Sequence, residues 1–135
     1  MRVFLDTNVL VSAFATRGLC ADLFELVLIE HELATGDQTL LELGRSLRGK
    51  LKLSAVHARD IVEFIEEEAV EVVRKAEPVR AAVDADDARV LGEALAAGAE
   101  VFVTGDAALL GLGKLGGIPI VAPRRFWEML QAPAK

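Results

Sequence analysis

Val3-Phe4-Leu5 is a short apolar run that passes at once into Asp6-Thr7-Asn8 and then into Val9-Leu10-Val11. So short a run suits a strand buried on both faces of a parallel sheet. The polar triplet then puts a carboxylate, a hydroxyl and an amide where the backbone leaves the sheet, the edge at which ligands bind in open α/β sheets. Later the event recurs, when Val101-Phe102-Val103 gives way to Thr104-Gly105-Asp106. Asp6 alone reads equally well as the N-cap of the following helix. It is the recurrence that argues for a site.

Between these junctions, segments of strand and helix character alternate. Residues 2–5, 33–35, 70–73, 101–103 and 118–121 read as strands, and Pro119 suits an edge position for the last. Helices are expected over 8–15, 19–31, 39–48, 54–68 and 124–130, with an alanine-rich helix opening at Asp84-Ala85-Asp86-Asp87 and ending at Gly98, and a short helical turn through Leu110. The period of Leu19, Leu23, Leu26 and Val27 is that of an amphipathic helix. The glycines at 111, 113, 116 and 117 lack the spacing of a dinucleotide fingerprint and read as a flexible connector. Alternation of this kind predicts a three-layer α/β/α fold with a mostly parallel sheet of about five strands. One domain over 1–130 is expected, with 131–135 frayed.

At 135 residues the chain is long enough for one sizeable core, and its 53% hydrophobic and 5% aromatic content makes that core one of Leu, Val, Ala and Ile. No apolar run approaches the roughly 18 residues that span a membrane, and the N-terminus lacks a basic segment leading into a cleavable apolar one, so a cytoplasmic location is expected. Cys20 has no partner for an internal disulfide, and no Cys/His pattern at zinc spacing is present. A net charge of −6 is opposite to that of a protein holding nucleic acid by bulk charge. A polyanionic substrate would need local compensation, from divalent cations or from a patch such as Arg45, Arg48, Lys50 and Lys52, which reads more readily as a solvated helix end. Asp60, Glu63, Glu66, Glu67, Glu68 and Glu71 form an acidic, solvated face.

Right-handed crossovers place all C-terminal strand ends on one edge. Asp6 and Asp106 therefore share it, with Glu42 and the Asp84–Asp87 cluster nearby. Each acid has a plain alternative: Thr39-x-x-Glu42 is a capping-box spacing, and the others suit helix starts. Gathered in one cleft, however, they must be neutralised by protons or by a cation. Oxygen donors without His or Cys suit Mg²⁺ or Mn²⁺.

Taken in order, these features resemble the PIN-domain ribonucleases over nearly the whole chain. The resemblance rests on Asp6-Thr7-Asn8, on Glu42 in Leu40-Leu41-Glu42-Leu43, on Asp84-x-x-Asp87, on Thr104-Gly105-Asp106-x-x-Leu109-Leu110, and on the ending Gly117-Ile118-Pro119-Ile120-Val121-x-Pro123-x-x-Phe126. It implies an acidic quartet of Asp6, Glu42, Asp87 and Asp106, with Asn8 and Thr104 as polar support. It also implies hydrolysis of RNA with Mg²⁺ or Mn²⁺, leaving a 5′-phosphate and a 3′-hydroxyl. Many stand-alone members are toxins silenced by a small antitoxin protein, so such a partner is expected. Arg45, Arg48 and Lys50 are the candidate RNA contacts. Two departures stand out. Ala108 occupies a place where relatives often carry a further acid, which bears on a second metal, and Asp84, Asp86 and Asp87 compete for the third acidic position, the helix face favouring Asp87.

The apolar helices over 88–97 and 19–29 suggest a homodimer or higher oligomer. Two other functions compete. An aspartate-based phosphatase with Asp6 as nucleophile is opposed by Asn8 standing where a second Asp is required. A degenerate domain that binds RNA or a protein without cleaving is opposed by the presence of all four acids.

Overall fold

The computed structural model describes residues 1–132. In chain order it contains β1 (Arg2–Leu5), α1 (Thr7–Ala15), α2 (Leu19–Glu30), β2 (Glu32–Gly36), α3 (Asp37–Gly49), α4 (Ala55–Glu68), β3 (Glu71–Val73), α5 (Ala85–Ala96), β4 (Val101–Val103), α6 (Ala107–Leu110), β5 (Lys114–Leu115), β6 (Ile118–Val121) and α7 (Pro123–Gln131). The strands form a single sheet in the order β3-β2-β1-β4-β6-β5, parallel except for the antiparallel pair β5 and β6.

The core explains why the strands read as unbroken apolar runs. Val3, Leu5, Val101 and Val103 face one layer, with α1 to α4 and α7, while Phe4, Phe102, Ala34 and Ile120 face the other, with α5 and α6. Each central strand is thus buried on both faces, as parallel sheets require. Phe4 and Phe102 stack across the β1–β4 pair with ring centroids 5.5 Å apart.

Two features of the C-terminal part differ from the sequence reading. The glycine-rich stretch holds a two-residue strand, β5, that turns back on β6 through Gly116-Gly117, both at positive φ. Two successive left-handed residues are what a tight two-residue hairpin demands, and glycine adopts them freely. The sheet therefore has six strands, and β6 lies inside its edge, with Pro119 paired to Lys114 of the short edge strand. Gln131 completes α7, and of the tail expected to fray, residues 133–135 lie outside the described residues.

α2 buries Leu23, Phe24 and Val27, and α5 buries Val90, Leu91 and Ala94, leaving Ile29 and Leu95 as their large exposed apolar side chains. The surface that suggested self-association is thus largely covered within one chain. No helix among the described residues is long and apolar enough to cross a membrane.

Chain direction in the sheet reverses at β1. From β1 the chain builds outward through β2 and β3, then returns to place β4 on the other side. The crevice beyond the C-terminal ends of β1 and β4 is therefore the topological switch point.

Candidate active site

Register builds the centre of the site. Leu5 pairs with Val103, so Asp6 and Thr104 leave the sheet side by side. The Thr104 hydroxyl donates to Asp6 Oδ2 at 2.7 Å, Asn8 Nδ2 donates to the same oxygen at 3.1 Å, and the Thr7 N–H donates to Oδ1 at 2.8 Å. Asn8 Oδ1 in turn accepts from the Gly105 N–H at 2.9 Å, tying α1 to the loop after β4. The Asp6 carboxylate, 5% exposed, is thus clamped by three donors at the switch point.

Glu42 reaches the site from α3. The capping-box alternative does not hold, because α3 begins at Asp37 with Gly36 as its N-cap, and the Thr39 hydroxyl is spent on Glu93. Glu42 sits in the second turn. Its Oε1 accepts from the Thr7 hydroxyl at 3.3 Å and its Oε2 from Gln38 Nε2 at 2.8 Å.

For the other acids, capping and lining the cleft are not alternatives. Asp84 is the N-cap of α5 and accepts from the Asp87 N–H at 2.8 Å, and Asp106 is the N-cap of α6 and accepts from the Ala108 N–H at 2.8 Å. Asp6, Glu42, Asp84, Asp86, Asp87 and Asp106 all line one cleft of about 520 Å³, together with Asn8, Arg45 and Lys50. Of the three acids that competed for the α5 position, Asp84 and Asp86 are exposed and Asp87 is half-buried.

Protonation follows from this crowding. Asp87 is pushed up to about 6, first by burial and then by the charges of Asp84, Asp106, Asp6 and Glu42. Burial also raises Asp6, opposed by the Thr104 hydrogen bond and reinforced by the charge of Asp106. Glu42 is raised chiefly by burial, with Asp6 and Asp86 contributing. The cleft holds more negative charge than its own donors offset.

The basic residues divide. Lys50 lines the acidic cleft, Arg45 lines both the cleft and a neighbouring, more apolar groove between α3 and α4, and Arg48 lines that groove, with Arg59 and Arg74, but not the cleft. Sequence reasoning missed Gln38, although its position four residues before Glu42 on one helix is a legible hydrogen-bonding pair. It also missed Ser12 and Ser46 in the cleft wall, and Glu93 behind it.

The donor set fits a hard divalent cation, all carboxylate, hydroxyl and amide oxygen with neither His nor Cys in the lining. Among the described residues, no three His, Cys, Asp or Glu side chains converge closely enough to hold one ion. The carboxylates of Asp6, Glu42, Asp84 and Asp106 each accept from a protein N–H or O–H, and like charges in one cleft favour such partners over one another.

A profile of the PIN domain matches residues 2–108, a span that includes all six acids lining the cleft. No curated protein matches the sequence. Solved structures share the fold at low identity. VapBC2 from Rickettsia felis, solved bound to a DNA fragment from their promoter, aligns at a TM-score of 0.67 with 14% identity, covering 90% of this chain and 98% of that one. PAE2754 from Pyrobaculum aerophilum aligns at 0.66 with 20% identity over 98% of this chain and 91% of its own. VapBC-1 from nontypeable Haemophilus influenzae aligns at 0.66 with 16% identity over 92% and 99%.

Proposed function

This chain belongs to the PIN-domain family, and from that premise we propose that it is a Mg²⁺- or Mn²⁺-dependent ribonuclease, acting as the toxin of a toxin–antitoxin pair. One observation carries the reading. Asp6, Glu42, Asp87 and Asp106, from four separate strand-to-helix junctions, line a single open cleft at the sheet's switch point.

In this reading Asp6, Glu42, Asp87 and Asp106 would hold the cation, which would supply positive charge against the scissile phosphate and lower the pKa of the attacking water. The protein's own groups do the rest. Thr104 and Asn8 fix the orientation of Asp6, and Gln38 and Thr7 fix that of Glu42. Arg45 and Lys50, on the wall of the cleft, draw the RNA backbone to an otherwise acidic surface. A carboxylate oxygen not engaged by the cation accepts the proton of the attacking water. Ala108 offers no further carboxylate beside Asp106, so a second cation would have fewer ligands. Proteins sharing the fold were solved with DNA in two cases, and a small protein partner that covers the cleft is the expected inhibitor here.

Purified protein incubated with a mixed RNA pool and Mn²⁺ should produce cleavage that a chelator stops. The Asp6→Asn and Asp106→Asn proteins should be folded and inactive. RNA binding without cleavage by the parent protein under all divalent cations would leave the binding-only alternative instead.

A further inference from the structure

Glu93 is a fully buried carboxylate that takes no part in the cleft. It projects from α5 onto the first turn of α3, where its oxygens accept from the Gln38 N–H at 2.6 Å, the Thr39 N–H at 3.1 Å and the Thr39 hydroxyl at 2.7 Å. The N-cap of α3, Gly36, offers no side chain of its own. Glu93 therefore caps α3 from a different helix, at the positive end of its dipole.

Gly36 is part of the same device. A Cβ there would lie 2.1 Å from Glu93 Cδ, so only glycine lets the carboxylate press onto the turn. A Ser or Asp at position 36 would cap α3 locally without burying a charge in the core, which is costly. Burial indeed raises Glu93 to about 7. What the costlier arrangement adds is a tie between two helices, α3, which carries Gln38 and Glu42, and α5, which carries Asp87 about two turns before Glu93.

We propose that Glu93 is a positioning residue for the acidic cleft, joining the start of α3 to α5 so that Glu42 and Asp87 are held at the separation at which they take up a divalent cation. Glu93 touches neither substrate nor cation and acts through Gln38 and Glu42. The proposal rests on the metal-dependent reading of the cleft, and metal uptake by the protein alone tests it independently of RNA cleavage.

The discriminating variant is the double substitution Glu93→Ala with Gly36→Ser. Removing the carboxylate makes room for a Cβ at position 36, and the serine hydroxyl restores a local cap on α3 while leaving it untied from α5. Thermal melting and Mn²⁺ calorimetry, without RNA, are compared for the parent, Glu93→Gln, Glu93→Ala and the double variant. The double variant is expected to recover much of the melting temperature lost in Glu93→Ala yet to bind Mn²⁺ at least tenfold more weakly than the parent. Glu93→Gln, which keeps the volume but turns an N–H₂ group toward N–H donors, should also bind Mn²⁺ at least tenfold more weakly. Parental Mn²⁺ affinity in the double variant or in Glu93→Gln would mean that Glu93 is only a helix cap and overturns the proposal. A parent that binds Mn²⁺ but cleaves no RNA refutes the nuclease reading and leaves this comparison intact.

Discussion

Replacing Thr104 by valine tests whether the centre of the cleft is held as described. Thr104 is fully buried, and its hydroxyl has three partners, donating to Asp6 Oδ2 at 2.7 Å and accepting from the Asp106 N–H at 3.0 Å and from Asn8 Nδ2 at 3.3 Å. Valine keeps the shape and removes all three contacts. A hydrogen bond to a charged acceptor contributes about 1.5–3 kcal/mol, while the Asp106 N–H, being only partly buried, finds water at little further cost. A net loss of roughly 2–3 kcal/mol follows, and at about 2.1 cal/mol/K of unfolding entropy per residue this lowers the Tm by roughly 7–11 °C. Thr104→Ser, which keeps the hydroxyl and loses a methyl, should cost about 1 kcal/mol.

The sign of the pH dependence sharpens the test. The hydroxyl stabilises the charged form of Asp6, so its contribution is present above the carboxylate's titration range and is lost as the pH falls through it. The gap between Thr104→Val and the parent should therefore narrow in acid. Urea or thermal melts at neutral and acidic pH in chelator measure it. A valine variant within about 2 °C of the parent at neutral pH, or a deficit unchanged in acid, would refute the argument that this hydroxyl holds a charged Asp6.

The acid cluster should make the metal-free protein lose stability as the pH rises. Asp87 titrates at about 6 in the folded chain against an ordinary 3.8, so the stability it contributes is complete below the ordinary value and is lost as the pH passes through about 6. With solvent screening the loss is about 1 kcal/mol, visible in denaturant melts between acidic and neutral pH, and Mn²⁺ should abolish the slope. Asp106→Asn keeps the α6 cap and removes one charge, so in chelator its Tm should equal or exceed that of the parent although cleavage is lost. Glu42→Gln should weaken Mn²⁺ binding in calorimetry with little change in Tm, since Glu42 is not a capping residue. Arg45→Ala and Lys50→Ala should each weaken RNA binding and lower the slope of log affinity against log salt by roughly 0.7, whereas Arg48→Ala, outside the cleft, should leave both unchanged.

Much of this architecture is legible because it depends on local patterns that burial enforces. Val3-Phe4-Leu5 and Val101-Phe102-Val103 are so apolar because both faces of the central strands are covered, and that same burial makes their polar endings conspicuous. The two-residue strand β5 was not legible. Lys114-Leu115 has no alternation to read, and the hairpin is signalled only by Gly116-Gly117, a pair that serves a flexible loop equally well. Arg48 shows the limit for surface charge. It lies two residues from Lys50 on the same helix end, and that spacing turns its side chain to the other groove.

Glu93 marks the deeper limit, because its role depends on a contact that no local spacing encodes. Within α5 it reads as one more acid in an alanine-rich helix, and its partners at positions 38 and 39 lie more than fifty residues away. Two weak signals together could have pointed to it. One is its place on the inward face beside Leu91 and Ala94, where a charge is costly unless paired. The other is Gly36 at a helix start where Ser, Thr or Asp would be the usual cap. A missing cap on one helix and an excess charge inside another are complementary defects, and in this fold each resolves the other. The same pairing explains why the Thr39-x-x-Glu42 spacing misleads. The cap that this spacing advertises is supplied from α5, and Glu42, left free of that duty, faces the cleft.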